Sequence, residues 1–259
     1  MKHLCRRFVL MLALSSIATH VWSATVSIGA SKDNSIFQSN ADGSAGGAAA
    51  IFVGSNADIS PRRGLIAFDV AGNVPAGSTI TSAQLTLYLA LSGNLISEAV
   101  ELHRLTADWG EGTAGSGTPT IHFAGMGFDA NLGDATWNER TSGSAAWSNP
   151  GADGDFNAAA SASAIIGLPD PDPTNPTGYN WGSTAALVSD VQSWLDNPAS
   201  NFGWMLINSS EDGAGSVRAF FSRSATLDTG GDPLQRDVFP MLTITYTTSV
   251  PEPVCGLLL

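Results

Sequence analysis

The side chains of this chain best suited to chemistry are tryptophans set among acids and arginines. Trp109, Trp137, Trp147 and Trp181 fall in or near stretches rich in Gly, Ser, Pro and Asp. A flat indole stacks on the C–H face of a sugar while neighbouring Asp, Asn or Arg groups bond its hydroxyls. Trp109, Trp137 and Trp147 are therefore candidate ligand residues, with packing as the competing role. Trp194 and Trp204, on a helical and a strand pattern, are assigned to the core. Arg62 and Arg63 stand beside an apolar run. Arg62 is a candidate clamp for the carboxylate of an acidic sugar, and both arginines could instead be buried partners of Asp69.

Oxygen ligands suggest calcium as a possible cofactor. Asp153, Asp155 and Asn157 alternate on a turn that contains Gly154, as metal ligands would, but the later Glu and the spacing of an EF-hand loop are missing. A solvated turn is the competing reading, here and for Asp33–Asn34 and the pair Asp170 and Asp172. His103 and His122 lie outside the leader, and neither an HExxH pattern nor a GxSxG elbow occurs. Catalysis is not expected. Cys5 falls in the leader and Cys255 near the end, so the body between them holds no disulfide.

Short strands must position these residues. Thr25–Gly29 and Ser35–Gln38 read as edge strands, and 50–54 resumes the pattern. Arg63–Val70 is apolar on both faces, as a covered central strand is. From Thr79 to Leu91 the apolar Leu85, Leu87, Leu89 and Leu91 alternate with Thr86, Tyr88 and Ala90. Val100, Leu102 and Arg104 alternate with Glu101, His103 and Leu105, and residues 108–179 turn loop-like. Leu187, Val188, Val191, Trp194 and Leu195 then form one helical stripe, capped by Ser183 or Thr184 and stopped by Pro198. Strands at 202–207, 216–222 and 241–247 close the chain. The expected fold is all-β, an antiparallel jelly-roll sandwich with one short helix at about 184–196 packed on it.

Composition gives an address. Lys2, Arg6 and Arg7 precede an apolar run from Phe8 to about Ala18, with small residues at Ser23 and Ala24. That is the pattern of a secretory signal spanning 1–24, and its run is shorter than the roughly 20 residues of a membrane span. Taking these three cations from the 11 basic residues, and none of the 23 acids, turns the formal charge of −12 into −15. Such a body repels nucleic acid.

The segments Arg63–Asp69, Pro75–Tyr88, Leu102–Trp109, Ala135–Asn138, Leu187–Trp194, Phe221–Arg223 and Pro240–Tyr246, in this order and spacing, resemble the DNRLRE domain family over residues 25–248. The resemblance implies a jelly-roll sandwich related to carbohydrate-binding modules, some of which hold acidic polysaccharide, and not chiefly a catalyst. Ser224 stands where the family often has Glu. It also favours a structural role for Arg62 and Arg63. In the 249–259 tail, Val250, Pro251, Glu252 and Pro253 resemble the start of a PEP-CTERM sorting signal. That resemblance implies handling by export and sorting machinery at the surface of a Gram-negative bacterium. Only six residues follow the motif, too few to span a bilayer as written. The expectation is an exported, non-catalytic module that binds polysaccharide or associates with an exopolysaccharide matrix. The alternatives are a surface protein that binds no glycan and, third, a polysaccharide-degrading enzyme.

Overall fold

The computed structural model describes residues 19–117, 125–171, 176–225 and 238–251. The apolar leader before residue 19, His122, Asp172, and Glu252 with Pro253 of the tail motif lie outside them. The chain forms β1 (Thr19–Phe37), β2 (Gly43–Ser44), β3 (Ala50–Ser55), β4 (Pro61–Phe68), β5 (Thr79–Ser92) and β6 (Glu98–Arg104). Then come β7 (Phe128–Asp129), β8 (Glu139–Thr141), β9 (Ala145–Ala146), β10 (Ala162–Ile166) and β11 (Gly178–Trp181). Helix α1 (Ala185–Asp196) precedes β12 (Trp204–Asn208), β13 (Arg218–Phe221) and β14 (Met241–Pro251).

All strand pairs are antiparallel, and the fold is an all-β sandwich. One layer contains the first half of β1, then β14, β5 and β11; the other contains the second half of β1, then β4, β12, β6 and β10. β13 and β3 join β5 to β4, so the pairings return to β1. β1 belongs to both layers because of a bulge. Val21–Gly29 pair with β14, the register shifts between Ala30 and Lys32, and Asp33–Phe37 pair with β4. An extra residue bends a strand and strengthens its twist, which lets it change sheets. The two edge strands expected at 25–29 and 35–38 are thus one strand.

The main core lies between the layers. Leu85, Leu87 and Leu89 of β5 point inward while Thr86 and Tyr88 stay half-exposed, each buried leucine contributing roughly 1.5–3 kcal/mol. α1 closes this core with Leu187, Val191, Trp194 and Leu195. The Thr184 side chain accepts from the Leu187 N–H and caps the helix. Gln192 Oε1 accepts from the Ile80 N–H, and Asp190 accepts from the Trp204 indole at 2.8 Å, so the helix is tied to both layers by polar groups as well. β4 is buried on both faces, as its apolar run implies: Ile66 and Phe68 face the main core, while Leu65 and Ala67 face a second cluster outside it.

The outer face of β1 and β14 is different. Thr25 pairs with Thr245 through hydroxyls 3.0 Å apart, and Ser27 with Thr243 at 2.9 Å. This exposed ladder carries hydroxyls and no charge.

Candidate functional site

Described parts of the stretch expected as loop, with Leu105 just before it, pack on the outer face of β4 and β12 as a second core. Ile36, Leu65 and Met205 from the strands meet Leu105, Trp109, Trp137 and Trp147 from the loop. The three candidate tryptophans are only 3%, 7% and 5% exposed. Trp109 donates its indole N–H to the Phe202 carbonyl at 2.8 Å, and Trp147 donates to the Thr136 carbonyl at 2.9 Å. Lys32 covers the Trp109 ring at 4.3 Å. Gly151, at φ 78°, lies so close to Trp137 that a Cβ would sit 2.7 Å from the ring. These indoles give no flat face to a sugar, so the expectation that Trp109, Trp137 and Trp147 meet ligand is corrected to packing. Trp181, in β11, is fully buried and donates to the Val100 carbonyl.

The physical reason is that a two-layer sandwich leaves β4 and β12 with a second apolar face. The loop indoles cover it while their N–H groups find carbonyls.

Arg63 is the polar anchor of this cluster. Its Nη2 donates to Glu211 Oε1 at 2.6 Å and its Nε to Oε2 at 3.2 Å, while Nη1 reaches Asp153 Oδ1 at 2.7 Å and the Gly151 carbonyl at 2.8 Å. Burial works against its charge, but Glu211 and then Asp153 outweigh burial and hold the guanidinium above its ordinary pKa. Asp69, the expected partner of Arg62 and Arg63, instead accepts from the Gly72 N–H in its own turn.

The side chains of Asp153 and Asp155, two members of the expected calcium set, are bonded within the protein. Asp153 is engaged by Arg63, Asp155 accepts from the Ser148 hydroxyl and N–H, and the Asn157 carbonyl meets His103 Nδ1 at 2.9 Å. Asp153 Oδ1 and both Asp155 carboxylate oxygens are thus already bonded to donors within the protein. In the structure Asp153 and Asp155 tether the loop through Arg63 and Ser148, and Asn157 does so through its backbone carbonyl.

Arg62 stands apart. Its Nε donates to the Gly125 carbonyl at 2.8 Å and its Nη1 to the Ser60 carbonyl at 2.7 Å, with the guanidinium 5.9 Å from the Phe37 ring. Among the described residues no carboxylate pairs with it, and its Nη2 makes no hydrogen bond. Burial pushes its pKa down, partly offset by the charge of Asp58. Arg62 lines a cleft of about 620 Å³ with Asn40, Asn56, Asp58 and Met126. An adjoining hollow of about 190 Å³ adds the apolar Phe52, Leu91 and Val217. Asn56 uses its Oδ1 to hold the Asp58 and Ser60 N–H groups, and its amide nitrogen has no partner among the described residues. The cleft is thus lined by an amide, a carboxylate and the guanidinium of Arg62, itself 4% exposed, beside an apolar wall with Met126 exposed. That set can bond one anionic group and several hydroxyls.

A third polar cluster was weighed in the sequence only as the pair Asp33–Asn34. Asn34 Nδ2 donates to Ser44 Oγ and the Glu111 carbonyl, and its Oδ1 accepts from the Ala45 N–H. Asp33 gives its N–H to Glu111 Oε1 at 2.9 Å and accepts from the Arg223 N–H at 2.7 Å. Arg223 closes on Glu111 with two bonds of 2.5 and 2.7 Å. A signal for this cluster exists in sequence: Asp33-Asn-Ser35 is a polar run leading straight into Ile36-Phe37 on one strand.

A search of protein-family models and of curated proteins finds no match to this chain.

Proposed function

We propose that this chain is an exported, non-catalytic β-sandwich module that holds an acidic polysaccharide at the cell surface. The observation that carries this reading is the Arg62 guanidinium, which lines a cleft with no carboxylate partner among the described residues. A sugar carboxylate would give Arg62 the direct partner that Asp58, acting only by its charge, does not, and Asn56 and Asp58 would bond neighbouring hydroxyls. The secretory pattern of residues 1–24 supports export. Val21, Trp22, Ser23 and Ala24 of that segment are exposed and pair with β14. The resemblance to the DNRLRE family supports the same class of ligand. The polar tail motif supports handling by sorting machinery. Among the described residues no helix is long and apolar enough to cross a membrane.

The test is binding of the secreted chain to arrayed neutral and uronic-acid polymers, with calcium and with chelator. Binding to the uronic-acid polymers is expected to survive chelator and to weaken about ten- to a hundredfold in Arg62→Gln, the worth of a charge-assisted bond. Equal binding by Arg62→Gln would remove the cleft from the argument. A second reading, a structural surface or matrix protein without glycan binding, draws on the burial of Trp109, Trp137 and Trp147. Absence of binding to every polymer would favour it.

A further inference from the structure

The cluster around Asp33 carries a charge imbalance that the sugar-binding reading does not use. Asp33 is 1% exposed and sits where three segments meet: β1, the 108–112 loop and the Ser222–Ala225 stretch after β13. Two carboxylates share one cation there, because Arg223 commits both Nε and Nη2 to Glu111. Asp33 receives only the neutral Arg223 N–H. The neighbouring Lys32 is turned away to Asp108 Oδ1 and the Trp109 carbonyl, each at 2.7 Å. From β4 the register partner is Ile66, flanked by Leu65 and Ala67, so that strand brings no charge. An ionised Asp33 would be a buried anion beside a second anion, and a proton removes that penalty.

We propose that Asp33, Glu111 and Arg223 form a proton-controlled latch, holding Ser222–Ala225 against β1 and the 108–112 loop while Asp33 is neutral and loosening when it ionises. Ser222 adds a bond from its hydroxyl to the Ala48 carbonyl at 2.6 Å, so the latch closes against the 39–49 loop as well. Burial, and secondarily the charge of Glu111, push the Asp33 carboxyl up to about 7, against the Arg223 N–H and charge that pull it down. The switch therefore falls within the pH range that an exported protein meets.

The experiment is hydrogen–deuterium exchange with mass spectrometry on the full chain from about pH 4 to pH 8.5, with rates corrected for intrinsic pH dependence. Protection of peptides covering 222–225 is expected to fall by up to about tenfold per pH unit between about pH 4 and pH 7 and to level off above that, because Asp33 has its ordinary acidity once the latch is open. In Asp33→Asn, which stays neutral, protection is expected to hold constant. Constant protection in the wild-type chain, or the same decline in Asp33→Asn, overturns the latch. If Asp33→Asn does not fold, Glu111→Gln serves: it removes the like charge and frees Arg223 for Asp33, so the pH at which the decline levels off must move down. An unmoved levelling-off point overturns the latch equally.

Discussion

Arg63 of β4 grips Glu211 from the turn after β12 through two bonds, 2.6 Å from Nη2 and 3.2 Å from Nε. The planar guanidinium fork matches the two oxygens of a carboxylate, and lysine cannot reproduce that bidentate geometry. Arg63 is also 5.3 Å from the Trp137 ring, so one side chain joins the loop core to the strand scaffold.

Arg63→Ala should destabilise the fold by about 2–3 kcal/mol, below the usual 3–5 for a fully buried pair. The discount reflects side-chain exposures of 18% for Glu211 and 58% for Asp153. Urea denaturation measures it. Arg63→Lys should lose more than half of the same amount, and an undiminished stability would show that the bidentate contact does not hold the loop.

Each of Trp109→Ala, Trp137→Ala and Trp147→Ala should destabilise the protein by about 3–5 kcal/mol through cavity formation. All three indoles belong to the cluster over β4 and β12. Thermal unfolding checks this. A variant with an unchanged melting temperature and lost glycan binding would return that tryptophan to the ligand surface.

Two aspartates should shape stability against pH in separate windows. The folded pKa of Asp33, about 7, lies above its ordinary value of 3.8. Its contribution is thus complete below about pH 4 and is lost as pH rises through 7. For Asp108, burial opposes ionisation, but the hydrogen bond and charge of Lys32 prevail and hold the carboxyl below the usual range. Its contribution is present above the usual aspartate value and is lost as pH falls through the lower folded one. The Asp108 side chain is 63% exposed, so that second effect stays below about 1 kcal/mol. Denaturation curves of Asp33→Asn should lack the decline between about pH 4 and pH 7, and those of Asp108→Asn the loss at lower pH. Curves that parallel the wild type in both windows would contradict both assignments.

Local patterns were legible where one periodicity dominated. The stripe of Leu187, Val191, Trp194 and Leu195 with its Thr184 cap predicts α1 to within a residue at the N-terminus, and the leucine alternation predicts β5. β10 and β11, at five and four residues, were invisible inside the expected loop, because so short a strand shows too few alternations to stand out. The tryptophans were misplaced for a different reason. A Gly- and Asp-rich loop resembles a solvated one until the apolar outer face of β4 and β12 is present beneath it.

Composition, periodicity and capping by themselves determined the all-β class, the helix at 185–196, the doubly covered β4 and the lack of cysteine in the body. These depend on interactions between residues close in sequence, or on residue type alone. Tertiary structure decided which side chains are free to act. Arg62 and Arg63 are adjacent and identical in type, yet one meets Glu211, 148 residues away, and the other meets only carbonyls within hydrogen-bond reach. Likewise Asp33 finds Arg223, 190 residues on. Partners so distant in sequence are chosen by sheet register and loop closure, and burial then sets the charge each group can hold.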